Sequence, residues 1–144
     1  MYAYTPGGHW STTTMIAALR TSGPSAPMVI NGPVDTEVFR AYVQHVLLPT
    51  LCPGDIVVMD NLSSHKAPDI RERIESAGAY LWYLPPYSPD FNPIEQMWSK
   101  VKNALRTAGA RTEETLYNAI AQALKTVTST NAKGWFQACG YLYE

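Results

Sequence analysis

Between positions 85 and 93 the chain reads Pro-Pro-Tyr-Ser-Pro-Asp-Phe-Asn-Pro, four prolines in nine residues. Proline fixes φ and has no N–H to donate, so this run is neither helix nor interior strand. It is a stiff connector, and its flanks say what it connects. Before it, Tyr80-Leu81-Trp82-Tyr83-Leu84 has the aromatic and apolar content of a strand. After it, Ile94, Met97, Trp98, Val101 and Leu105 recur at helical spacing and share one face. The connector therefore fixes where a helix begins relative to the end of a strand.

The rest of the chain alternates in the same way. A strand from Trp10 to Leu19 ends at the turn residues Ser22-Gly23-Pro24, and a second follows at Met28-Val29-Ile30. Asp35 then caps a helix carrying Val38, Phe39, Tyr42, Val43 and Val46 on one side, which Pro49 ends. Ile56-Val57-Val58-Met59 is a continuous apolar run of strand length, expected to be buried on both faces. A helix around Pro68 to Ala77 is closed by Gly78, Thr112 starts another with Leu116, Ile120 and Leu124, and a short helical piece covers Ala132 to Ala138. The order of elements predicts an α/β fold with at least one parallel strand pair joined through a helix. There is no internal repeat and no domain boundary.

Composition narrows the functional classes. At 144 residues with 46% hydrophobic content, this is one ordinary globular domain. Only 16% of residues are charged and 11% are aromatic, so some apolar surface is expected to meet a partner. Eleven basic against twelve acidic residues exclude binding to DNA by bulk charge and leave that task to local patches. Cys52 and Cys139 lack metal-ligand spacing and no secretory signal precedes them, which predicts reduced thiols and a cytoplasmic protein. No apolar run is long enough to span a bilayer.

Two acids stand where chemistry is possible. Asp60 ends the buried strand, at the edge where open α/β sheets bind ligands, although Asp60-Asn61 also suits a plain turn. Glu95 enters the first turn of the helix after the connector. There it completes a capping-box pattern with Asn92 as cap and Pro93 at the first position. A cap needs no rigid lead-in, however, and two carboxylates held by rigid elements can share hard divalent cations, which prefer oxygen ligands. In phosphodiester chemistry a pair of such ions activates the attacking oxygen and stabilises the leaving one. Lys100, Lys102, Arg106 and Arg111 make a locally basic stretch that either touches phosphates or is simply solvated.

The segment Val57-Val58-Met59-Asp60-Asn61, with His65 and Lys66, resembles the second-aspartate strand and loop of DDE-type transposases of the mariner-related bacterial insertion-sequence group. Leu84 to Glu95, followed by Trp98, Lys100 and Lys102, is similar to their third-carboxylate motif, and the likeness runs from Gly8-His9-Trp10 to the last helix. The resemblance implies a ribonuclease H-like mixed sheet flanked by helices. It further implies a Mg²⁺- or Mn²⁺-dependent domain that cuts and joins DNA strands at transposon ends, with Asp60 and Glu95 as catalytic metal ligands. For His65 a DNA contact and a loop residue bonded to its own backbone stay equally open.

In one respect the chain departs from that group. The resemblance implies a first catalytic aspartate on a central strand upstream of Gly8-His9-Trp10, yet residues 1–7 contain no acid. Asp55 precedes Asp60 by a strand length, roughly 16 Å at about 3.3 Å per residue, too far to share a metal. Asp35 is accounted for as a helix cap. The expectation is a partial catalytic domain over 1–144 that lacks its first central strand and the amino-terminal DNA-binding domain, and that is inactive alone. It would be a degraded gene or the second frame of a split one, completed by an upstream fragment. The rival is a non-catalytic module that assembles with another transposase subunit. A nucleotidase with Asp60 as nucleophile is disfavoured, because no second Asp follows two residues later and no phosphate-binding glycine loop is present.

Overall fold

A computed structural model describes residues 2–4, 13–60, 68–85, 92–109 and 112–141. Two small sheets and five helices make up the described part. The first sheet is antiparallel in the order β1 (Tyr2–Tyr4), β2 (Thr13–Arg20), β3 (Gly23–Asn31). The second pairs β4 (Ile56–Met59) in parallel with β5 (Tyr80–Tyr83), joined by α2 (Pro68–Ser76), which is the expected helical crossover. The remaining helices are α1 (Thr36–Tyr42), α3 (Ile94–Ala108), α4 (Glu113–Lys125) and α5 (Ser129–Ala138). None of the described helices is long and apolar enough to cross a membrane.

Strand β2 builds both cores because its side chains alternate. Ile16 and Ala18 face a cluster with Phe39, Tyr42, Met59, Ile70 and Leu81. Met15, Ala17 and Leu19 face the opposite way, into a cluster with Met97, Trp98, Val101, Leu116 and Ile120. The helical faces expected from spacing are the ones buried, with Ile94, Met97, Trp98 and Val101 all at 2% exposure or less.

Helix ends follow their cap chemistry. Asp35 Oδ1 accepts from the Val38 N–H at 2.9 Å, as expected, and Thr112 caps α4 by accepting from Thr115 N–H at 3.1 Å. Pro49 does not end the first helix outright. The helix loosens into a π-turn over Val43–Leu47 and then tightens into a 3-10 turn over Leu48–Thr50 that includes the proline. Beyond α2 the Ala79 N–H reaches Ile74 O while Gly78 sits at φ +82° in the left-handed region, which closes the helix. The Gly78 backbone also lies tight against Pro53, so a Cβ there would stand 3.2 Å from Pro53 Cα.

The strand at Tyr2–Tyr4 was not expected, since only an absence of acids was read there. It pairs Tyr2 with Ala17 and Tyr4 with Met15. Among the described residues no ladder joins β1 or β2 to β4, so the sheet is divided at that seam. A side-chain clip spans it: Arg20 Nη2 at the end of β2 donates to Asp55 Oδ2 at 2.6 Å and to Thr50 O at 2.9 Å. Asp55 also accepts from the Cys52 N–H at 2.8 Å. The predicted burial of β4 on both faces is corrected here. Met59 is fully buried but Ile56 is 49% exposed, and its face-mates on β5, Tyr80 and Trp82, are 59% and 56% exposed. Helices α1 and α2 pack on one face of this sheet, while α3 and α4 share a core with β2 and α5 packs against α3 and β3.

Two outcomes test this account. Gly78→Ala should lose about 1–2 kcal/mol of stability, because an L side chain is strained at that φ, and urea unfolding measures the loss. The Arg20 hydrogen bond holds the Asp55 carboxyl below its ordinary value of 3.8. A depressed acid stabilises the fold above its unfolded pKa and ceases to do so as pH falls through the folded one. Stability should therefore drop below about pH 4, and Asp55→Asn should flatten that acid limb while costing about 1 kcal/mol at neutral pH.

Candidate active site

Asp60 directly follows the fully buried Met59, so the apolar core anchors the strand and delivers the carboxylate at its carboxyl end. Oδ1 of Asp60 is shielded from solvent. Glu95 arrives from the other side, as the second residue of α3. Both the side chain and the carbonyl of Asn92 start that helix: Oδ1 accepts from Ile94 N–H at 3.3 Å and the backbone O from Glu95 N–H at 3.1 Å. Asn92 and Ile94 are themselves buried, which locks the first turn in place.

The cap explanation can now be weighed against the ligand explanation. The expected cap is corrected by one position: Pro93 takes the cap place with no side-chain cap hydrogen bond, and Asn92 braces the turn from just outside the helix through its contact with Ile94 N–H. The reciprocal half of a capping box is not formed, since among the described residues the Glu95 carboxylate accepts no hydrogen bond from the Asn92 N–H. Glu95 is thus not needed by the cap. Its pKa is raised above the ordinary 4.5, first by burial and then by the negative charge of Asp60. Two acids from different elements thus act on one another, the negative charge of Asp60 disfavouring ionisation of Glu95.

Lys102 joins them. It stands seven residues after Glu95, two turns along the same helical face, and its charge opposes the upward shift of Glu95. Arg106 extends this row by one more turn and is exposed, donating to Asn103 Oδ1 at 3.3 Å. Lys100 points elsewhere. Its ammonium donates at 2.8 Å to Thr126 O and at 2.8 Å to Asn131 Oδ1, tying α3 to the junction of α4 and α5. His65 and Arg111 lie outside the described residues, as do Gly8-His9-Trp10. Among the described residues no three His, Cys, Asp or Glu side chains converge as a metal site.

An α/β domain that holds two carboxylates between a strand end and a helix start belongs to a recognisable class, and the comparisons define it further. Residues 2–117 match the model of the DDE superfamily endonuclease family, and the chain belongs to that family. The fold is similar to that of the Mos1 transposase in the crystal structure of the Mos1 strand transfer complex. That match has a TM-score of 0.51 and 17% identity, and covers 98% of this chain and 47% of the other. A second similarity is to the catalytic domain of Mos1 mariner transposase, with a TM-score of 0.44 and 18% identity over 92% of this chain and 76% of that one. This chain thus spans less than half the length of the first of these. Curated proteins give no match.

If Asp60 is what holds the Glu95 pKa up, Asp60→Asn should lower it. Titration of the side-chain carboxyl carbons by NMR measures the change. An unmoved Glu95 would mean that burial alone sets its value.

Proposed function

We propose that this chain is the carboxyl-terminal part of a DDE-type transposase catalytic domain, acting in the cytoplasm on the DNA of transposon ends. Asp60 and Glu95 would hold Mg²⁺ or Mn²⁺. The observation that supports this reading is that, after burial, the charge of Asp60 raises the pKa of Glu95. The donor set fits a hard cation, since both groups are oxygen ligands and a divalent ion would relieve their repulsion. When bound, such ions would polarise the scissile phosphate and lower the pKa of the attacking hydroxyl.

The chain's own residues hold the frame for that chemistry. Asn92 braces the start of α3, and the buried first turn holds the backbone of Glu95 in place. The row formed by Lys102 and Arg106 faces away from the core and is suited to the phosphates of a bound strand, whereas Lys100 has two of its three donors committed within the fold. His65 is kept as a candidate contact to DNA from the loop after Asp60. Two carboxylates hold a pair of cations poorly, so a third, upstream acid is required for cutting, and residues 1–144 alone would be inactive. The alternative is a non-catalytic module that docks on another transposase subunit, favoured by the exposed Ile56, Tyr80 and Trp82 face.

The test is a nicking assay on the cognate ends with Mg²⁺ or Mn²⁺. The purified chain should leave the DNA intact, and joining it to an upstream fragment that carries an acid should restore cleavage that Asp60→Ala or Glu95→Ala abolishes. Restored cleavage that survives both substitutions would refute the assignment of these two residues.

A further inference from the structure

The face of β4 and β5 turned away from α1 and α2 carries two aromatic side chains that the fold does not use. Val57 and Met59 of β4 and Leu81 and Tyr83 of β5 face the core under α1 and α2. Alternation turns Ile56, Val58, Tyr80 and Trp82 the other way, and the parallel register sets Ile56 beside Tyr80 and Val58 beside Trp82. Tyr80 is 59% and Trp82 56% exposed, and among the described residues neither side chain makes a hydrogen bond or a ring contact. Tryptophan is among the more buried residues, and one this open with its indole N–H unused is the kind found at binding surfaces.

Two observations place this face beside the candidate acids. The same alternation, carried two residues past Val58, brings Asp60 onto it. With strands about 4.8 Å apart and a rise of about 3.3 Å per residue, the Cα atoms of Asp60 and Trp82 stand roughly 8 Å apart, and Tyr80 lies about 6.6 Å farther back. Independently, Ile56 and Val58 share the lining of a cavity of about 230 Å³ with Asn92, Pro93 and Ile94, so the first turn of α3, which carries Glu95, stands over this face.

The size and chemistry of the patch select its occupant. Ile56, Tyr80 and Trp82 together expose on the order of 300 Å², whereas a stable protein interface takes about 800 Å² from each partner, so the patch alone is too small for subunit docking. Two aromatic rings on a sheet face, two residues apart on one strand, instead match the stacking of successive unpaired bases, each of which offers a π face whatever its identity. Lys102, on the helix that carries Glu95, supplies positive charge for the accompanying phosphates.

We propose that Trp82 and Tyr80 form a stacking platform for unpaired bases of the DNA whose backbone passes Asp60 and Glu95. Trp82 takes the base nearest the acids and Tyr80 the next one away. The platform rests on the DNA-processing reading of the site, and it narrows the substrate from duplex DNA to DNA with a frayed or single-stranded end. Because every base has a π face, it reads strandedness and not sequence.

The test measures binding by fluorescence anisotropy in EDTA, so that no metal is needed. The probes are a labelled duplex with a single-stranded thymidine tail, the same duplex with an abasic tail of equal length, and the same duplex with its tail paired. The chain should bind the thymidine tail about tenfold more tightly than either of the others. Trp82→Leu, an exposed change whose fold is checked by its Tm, should bring that ratio close to one. Tyr80→Leu should lower it in part, and Trp82→Phe should keep most of it. Equal binding of the thymidine and abasic tails, or of neither, would overturn the platform, as would a thymidine preference that survives Trp82→Leu or a wild-type dimer that Trp82→Leu dissociates. Failure of the cleavage reading would look different: the thymidine preference would persist while restored cutting survived Asp60→Ala and Glu95→Ala.

Discussion

Everything in this molecule hangs on one strand buried on both faces. Successive residues of β2 enter opposite cores, Ile16 with α1 and α2 and Met15 and Ala17 with α3 and α4. Strand alternation makes this possible, and apolar residues at nearly every position from Met15 to Leu19 make it favourable. Among the described residues no other strand is so fully shared, although Ala26 and Met28 of β3 join the first core and Val29 the second. The register of β2 with its neighbours thus sets how the layer holding β4 and Asp60 stands against the layer holding α3 and Glu95.

That arrangement explains where the molecule is tight and where it is open. Helices cover both faces of β2, whereas on the β4 and β5 pair Tyr80 and Trp82 look outward. The seam is bridged by a polar clip in place of a backbone ladder. Arg20 is held by two acceptors, and its guanidinium keeps Asp55 charged. Such a clip fixes spacing across a gap without filling it, which is why cavities remain on both sides.

Burial of Asn92 is the link between fold and chemistry. A cap at the protein surface would let the first turn of α3 fray, and a carboxylate there would sample many positions. Here Asn92, which accepts from the Ile94 and Glu95 N–H groups just ahead of the helix, is inside, so Glu95 is placed by packing as well as by hydrogen bonding, and desolvation and the Asp60 charge act on it together. The chain's membership of the DDE superfamily endonuclease family stands beside this placement of the two acids by the fold.

Much was legible in the sequence because it depends on neighbours along the chain. The helix faces at Ile94, Met97, Trp98 and Val101, the Asp35 and Thr112 caps, the Gly78 stop and the parallel pair across α2 all follow from local spacing and turn chemistry. Asp60 at a strand end and Glu95 after a proline connector were visible for the same reason. What the tertiary structure alone decided depends on residues far apart in sequence. The continuous apolar run at Ile56–Met59 predicts burial on both faces, yet Ile56 is half exposed, and among the described residues no strand pairs with β4 on the side away from β5. A lysine pattern cannot tell Lys100 from Lys102; the carbonyl of Thr126, brought up by the packing of α4 on α3, took the first and left the second near Glu95. Local chemistry chooses the elements, and only their packing determines which donors are spent within the fold and which edges stay open.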